Sequence, residues 1–207
     1  MAVAIITGAS TGIGRALAFE LHKRGHSVGL LARRGPLLEE TVAMLGERAA
    51  CAVADVVDPE ATAAAIGEIE AALGPCDILI ANAGIGVRNP AFQYRYEELR
   101  RVMDVNFFGV VHSVLPVLPK MMARESGHLV VISSVAGFRG MPRGGDYSAS
   151  KAAVTTLFQA WREDLRRNRI TVTSVHPGYV QTPMVDEQDI AKPWMMDVED
   201  AARLIAD

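Results

Sequence analysis

Two cysteines in 207 residues, Cys51 and Cys76, stand without C-x-x-C spacing, so neither a disulfide framework nor a cysteine-based metal site supports this chain. Each adjoins an apolar run, and a reducing, cytoplasmic setting is the expectation. Strong net charge is also absent: the formal balance is −3, and Arg162, Arg166, Arg167 and Arg169 are interleaved with Glu163 and Asp164. That pattern is a solvated helix face, not a nucleic-acid footprint. No basic region heads the chain, and no continuous apolar run approaches the ~20 residues that cross a bilayer, so no membrane partner is expected. His22 and His26 are four apart, but Gly25 interrupts the helix between them and no third ligand accompanies them, so no metal is expected.

What the chain has is apolar substance, 50% of its residues, and no repeat, low-complexity tract or linker to divide it. One domain over residues 1–207 is expected. Short apolar runs recur at 2–6, 27–32, 49–54, 77–81, 128–133 and 170–175. Because they are continuously apolar and do not alternate with polar residues, they suit strands covered on both faces. Helical segments fall between them, at 12–24, 36–47, 59–73, 96–124, 146–167 and from 197 onward, with Gly25, Gly74 and Gly127 as stops and Pro116 and Pro119 breaking the fourth. The expected fold is α/β, a single Rossmann-type doubly wound parallel sheet with helices on both faces. Its site should lie at the C-terminal ends of the strands, where strand order reverses.

Residues 7–14, Thr-Gly-Ala-Ser-Thr-Gly-Ile-Gly, join the first strand to the first helix. Without Cβ atoms at the glycines, backbone N–H groups and the positive end of the helix can face a diphosphate closely. Gly8 to Gly12 also fits the G-x-S-x-G nucleophile elbow, with Ser10 as nucleophile. Only seven residues precede Gly8, too few for the earlier loop that completes the oxyanion hole of such an elbow, so a dinucleotide is the expectation. The second strand ends in Arg33 and Arg34, where a site preferring the 2′-hydroxyl presents a carboxylate. Guanidinium groups bind a 2′-phosphate, and NADP is therefore expected over NAD.

Tyr147 and Lys151 are four apart at the start of a helical segment and share a face, with Ser134 thirteen residues earlier at the end of a strand. Taken with the glycine turn, Asp55 after the third strand, Asn82-Ala83-Gly84, Asn106, and Pro177-Gly178 with Thr182, the chain resembles the short-chain dehydrogenase/reductase family from residue 2 to about residue 200. The resemblance implies an oxidoreductase interconverting a small-molecule carbonyl and a secondary alcohol. Tyr147 is then the acid/base, Lys151 lowers its pKa and holds the nicotinamide ribose, Ser134 polarises the substrate oxygen, and Asn106 serves a proton relay. The implied cofactor contacts are Gly8, Ser10, Thr11, Gly12, Ile13, Gly14, Arg33, Arg34, Asp55, Asn82, Ala83, Gly84, Tyr147, Lys151, Pro177, Gly178, Val180 and Thr182. A homodimer or homotetramer through the helices at 96–124 and 146–167 is also implied. The alternative is a sensor or scaffold that binds NADP without turnover.

Against that family the C-terminus reads as shortened, with the final strand of the sheet expected to be missing. A short substrate lid is expected around 184–196, its Trp194, Met195 and Met196 suggesting an open pocket for an apolar or mixed carbonyl compound. Arg88, Arg139, Met141 and Arg143 are candidates for its entrance.

Overall fold

The computed structural model describes residues 1–186 and 194–207. The strands β1 (Val3–Thr7), β2 (Ser27–Ala32), β3 (Ala49–Val53), β4 (Ile78–Ala81), β5 (Gly127–Ile132) and β6 (Ile170–Val175) form one sheet in the order β3-β2-β1-β4-β5-β6. Every pairing is parallel. Parallel neighbours need crossover connections, and these are the helices α1 (Gly12–Lys23), α2 (Gly35–Leu45), α3 (Pro59–Leu73), α4 (Tyr96–Met103), α5 (Gly109–Val114), α6 (Leu118–Ala123) and α7 (Gly145–Leu165), followed by α8 (Pro183–Asp186) and α9 (Val198–Ala206).

Strand side chains alternate between faces, so consecutive apolar residues feed two cores. Ile5, Leu79, Leu129 and Val131 pack with Ile66 and Ile69 of α3, Val110 and Val114 of α5, and Phe158 of α7. Ile6, Leu30, Ile80 and Val130 pack on the other side with Leu17 and Leu21 of α1, Leu38 of α2 and Ala202 of α9. This two-sided burial explains why the strand sequences carry no polar alternation.

The segment expected to be one interrupted helix, 96–124, is more broken than Pro116 and Pro119 imply. A π-helical turn, Asp104–Phe108, separates α4 from α5, and the chain turns again before α6. By length and composition alone Tyr96–Ala123 would cross a membrane, with mean hydropathy 1.4 and 44% of its window buried, a feature a search for unbroken apolar runs does not register. Here its Val102, Val105, Val110, Val114 and Met121 are buried, most of them in the α3/α5/α7 core. Gly127, read as a helix stop, is instead the first residue of β5. The turn out of α6 is made by Glu125 at φ +50°, and Gly127 is required because a Cβ there would lie 2.5 Å from Met121 Sδ.

The chain leaves β1 toward β2 on one side and returns through β4 on the other, so a crevice opens above β1 and β4. Thr7 and Asn82 stitch its floor. The backbone N–H groups of Asn82 and Ala83 both donate to Thr7 Oγ1 at 3.1 Å, and Asn82 Nδ2 donates to the carbonyls of Thr7 (2.9 Å) and Gly8 (3.3 Å).

Candidate active site

The glycine turn sits on that stitch. Gly8 has φ +67°, and a Cβ there would stand 2.7 Å from Ala83 Cα, so both the backbone conformation and the approach of the β4 loop demand glycine. Gly12 opens α1 at φ +57°. Thr11, the residue before α1, makes no side-chain cap, which leaves the first N–H groups of the helix facing the crevice. Gly14 departs from its expected role. It does not line the crevice but lies behind the turn, where a Cβ would meet Asn82 Nδ2 at 2.5 Å and the Gly8 carbonyl oxygen at 2.7 Å, so it is required for packing.

A cleft of about 260 Å³ runs along this rim, lined by Gly8, Ser10, Thr11, Gly12 and Ile13, by Arg33, Arg34 and Asp55, by Asn82, Ala83 and Gly84, and by Pro177, Gly178, Val180 and Thr182. Arg34 donates to Ser10 Oγ (2.9 and 3.2 Å) and Thr11 Oγ1 (2.8 Å). As acceptors from a guanidinium, those hydroxyls keep their own protons for a further acceptor. An uncapped helix start, two hydroxyl donors and a guanidinium form a donor set that fits the phosphates of a dinucleotide. Arg33 Nη1 lies 3.5 Å from Asp55 Oδ2, and Asp55 Oδ1 accepts from the Val57 N–H at 3.2 Å. Asp55 is thus both turn residue and counter-charge, while Asp58 caps α3 through the N–H groups of Glu60 and Ala61.

At the inner end of the cleft stand Ser134, Tyr147 and Lys151. Ser134 follows β5, whereas Tyr147 and Lys151 lie one turn apart in the first half of α7. Lys151 is 4% exposed and its Nζ donates to the Ile132 carbonyl at 2.7 Å. With no carboxylate beside it among the described residues, burial lowers its pKa from 10.5 to about 8. Its Nζ is 5.7 Å from the Tyr147 ring centroid. The Tyr147 pKa stands above its ordinary 10, because burial outweighs the opposing hydrogen bond with Ser134. The depression expected from Lys151 is therefore not a property of this ground state.

Asn106 lies in the π-helical turn and is fully buried. Its Oδ1 accepts from the Ile85 N–H (2.8 Å), and its Nδ2 donates to the Ile85 carbonyl (2.9 Å) and Ser150 Oγ (3.0 Å). The side chain clamps the loop after β4 to α7, with both amide hydrogens used and one lone pair of Oδ1 left over. A π-turn is a recurrent way to place one residue out of helical register.

Tyr147 and Ser134 also face a second cavity of about 480 Å³, which the sequence did not delineate. Arg88, Met141 and Arg143 line it as candidates for the entrance, joined by Val87, Val135 and Tyr179, whereas Arg139 is exposed and lines neither space. Met184 and Val185 of α8 contribute to both. Residues 187–193 of the expected lid lie outside the described residues. Trp194 is 74% exposed and lines neither cavity. Met196 forms a bridge with Val180, its N–H donating to the Tyr179 carbonyl at 2.9 Å.

A family model described as short chain dehydrogenase matches residues 2–193. An oxidoreductase of Myxococcus xanthus (strain DK1622), described as uncharacterized, is 38% identical over 208 residues, which is 98% of this chain and 81% of the relative. The closed form of a serine dehydrogenase complexed with NADP+ superposes with TM-score 0.91 at 28% identity, over 99% of this chain and 87% of that one. A 3-ketoacyl-(acyl-carrier-protein) reductase from Brucella melitensis complexed with NADH gives 0.90 at 26% identity, over 99% and 89%.

Proposed function

The chain belongs to the short-chain dehydrogenase family and is an NAD(P)-dependent oxidoreductase; we propose that it uses NADP to interconvert a small-molecule carbonyl compound and a secondary alcohol. The observation that carries this reading is that Ser134 and Tyr147 line both cavities, where a dinucleotide in one meets a substrate in the other. The dinucleotide supplies or accepts the hydride.

In this reading Tyr147 gives its phenolic proton to the substrate oxygen as the carbonyl is reduced, and takes it back in the reverse direction. Burial keeps the phenol protonated near neutrality, the form a donor needs. Ser134 orients the same oxygen through a second hydrogen bond. Lys151, whose pKa of about 8 lies near the working range, steadies the phenolate left by proton transfer and returns a proton to it. Asn106 is assigned to the relay behind Lys151, with its side chain holding the Ile85 loop and Ser150 in register. Gly8, Ser10, Thr11, Gly12 and Ile13 would hold the diphosphate, Arg33 and Arg34 the 2′-phosphate, and Asp55 the adenine. Asn82, Ala83 and Gly84, with Pro177, Gly178, Val180 and Thr182, would form the wall around the rest of the dinucleotide. Preference for NADP rests on Arg34 bridging to the Ser10 and Thr11 hydroxyls, which extends the cationic donor set to the turn itself.

The test is loss of NADPH absorbance with a panel of ketones, aldehydes and diketones. Tyr147→Phe should lower kcat by roughly 10² to 10⁴-fold, the usual worth of general acid catalysis, while NADPH still binds. Turnover surviving in Tyr147→Phe would refute the assignment, and binding without turnover across the panel would favour a sensor.

A further inference from the structure

The second cavity has a charge pattern that the proposed reaction does not use. It is walled by apolar side chains, among them Val87, Val135, Met141, Pro142, Met184 and Val185, and its volume suits a ligand of metabolite or drug size. Among the described residues its only charged liners are Arg88, from the loop after β4, and Arg143, from the loop before α7. Among the described residues no carboxylate lines it. Asp146, beside Tyr147, is 1% exposed, and its oxygens accept from Asn89 Nδ2 (2.6 Å) and Tyr94 Oη (2.7 Å).

The cations of the neighbouring cleft are all engaged: Arg33 with Asp55, Arg34 with Ser10 and Thr11, Lys151 with the Ile132 carbonyl. Arg88 and Arg143, by contrast, make no ion pair or side-chain hydrogen bond among the described residues. Arg143 also sits at φ +63°, a conformation uncommon for a residue with a long side chain. It is held there by the Asn89 N–H, which donates to the Arg143 carbonyl at 2.9 Å. Because Asn89 adjoins Arg88, this bond brings the backbones bearing the two guanidinium groups together, one from each loop.

We infer that the ligand of this cavity is amphipathic, with an oxyanionic group, carboxylate or phosphate monoester, bound by Arg88 and Arg143 and an apolar segment reaching toward Ser134 and Tyr147. Two planar donor forks on adjoining backbone suit one oxyanion, and the apolar wall between them and the hydroxyl pair accommodates the segment. The inference rests on the reductase reading for the carbonyl at the inner end, but not for the anion at the outer end.

The experiment compares ketones of one chain length ending in a carboxylate, a phosphate monoester or a methyl ester, as substrates for the NADPH-loaded enzyme. Arg88→Gln and Arg143→Gly are tested alongside, glycine being chosen because it accepts φ +63° without distorting the loop. The anionic ketones should be preferred over the ester about 10-fold or more in kcat/KM. Each variant should erode that preference about 5-fold through KM, and added salt should erode it in the wild type. Whichever anion is preferred identifies the headgroup. Calorimetric binding of an alkyl carboxylate without a ketone, against its methyl ester, reads the same arginines without turnover. Arginine-dependent preference for the carboxylate there, with no ketone reduced, would sink the reductase reading and uphold this one. Equal treatment of anion and ester in both assays, or a preference unmoved by either variant, would overturn it.

Discussion

Replacing Lys151 by Met should make the protein less pH-sensitive in its stability while abolishing activity. The ammonium is buried with one carbonyl partner and, among the described residues, no counter-charge, and its pKa falls from 10.5 to about 8, a difference worth about 3 kcal/mol at 1.36 kcal/mol per decade. Below pH 8 the folded and unfolded chains both carry the proton, and the folded chain bears the full cost of burying it. Between pH 8 and 10.5 the folded chain has shed the proton while the unfolded chain keeps it, so the unfolded state binds more protons and stability rises with pH. Above 10.5 the cost is gone. Met fills similar space but leaves the Ile132 carbonyl without this donor, an offset of about 1–3 kcal/mol that does not vary with pH.

The clean readout is therefore a slope. Urea unfolding of wild type and Lys151→Met at intervals from pH 7 to 10.5 should show the wild type gaining about 3 kcal/mol on the variant across that window. In thermal scans that is about 6–12 °C for a chain of this size. A gap that stays constant would refute the uncompensated burial. So would a gap of opposite slope, with the wild type losing stability as pH rises, which is the behaviour of an ammonium paired with a carboxylate.

Two further outcomes test other parts of the site. Arg33→Asp combined with Arg34→Ala should move the NADPH-to-NADH ratio of kcat/KM toward NADH by about 10-fold or more, since it removes two cations and installs a repelling carboxylate. An unmoved ratio would refute the cofactor assignment. Asn106→Ala orphans the Ile85 N–H and carbonyl and frees Ser150 Oγ from its donor, at about 1–3 kcal/mol for each buried group left unsatisfied. A calorimetric melting temperature within about 2 °C of wild type would show that water or a shifted loop replaces the clamp.

Much of the sheet could be read directly. Strands 27–32 and 170–175 and the helix at 59–73 match the sequence reading residue for residue, because each is set by local signals: a continuous apolar run, or the Asp58 and Pro59 start with Gly74 at the stop. The π-turn at Asp104–Phe108 was not legible, since its local sequence resembles any apolar helix and Asn106 bonds to Ile85 and Ser150, distant in the chain. Gly127 misleads for a related reason: its constraint comes from Met121 packed against it and not from its own backbone angle. That the segments at 7–14, 33–34, 82–84 and 177–182 share one cleft was legible because the motifs are short and sit at strand ends. The second cavity was not, because its liners come from the segments after β4, β5 and β6, whose meeting depends on contacts such as Asn89 with Arg143.

The two spaces differ in how they treat charge, and that difference bears on how such a site could turn over. In the cleft proposed for the dinucleotide the cations are held in place by Asp55, by the Ser10 and Thr11 hydroxyls and by the Ile132 carbonyl. A ligand there competes with existing bonds, which lowers net affinity but lowers the ordering cost as well. Around Arg88 and Arg143 no such bonds compete among the described residues, so an anion gains the whole interaction but must order two exposed side chains. The first arrangement suits a dinucleotide of fixed shape that must leave after each cycle. The second suits selection among ligands, since a neutral analogue finds nothing there to replace.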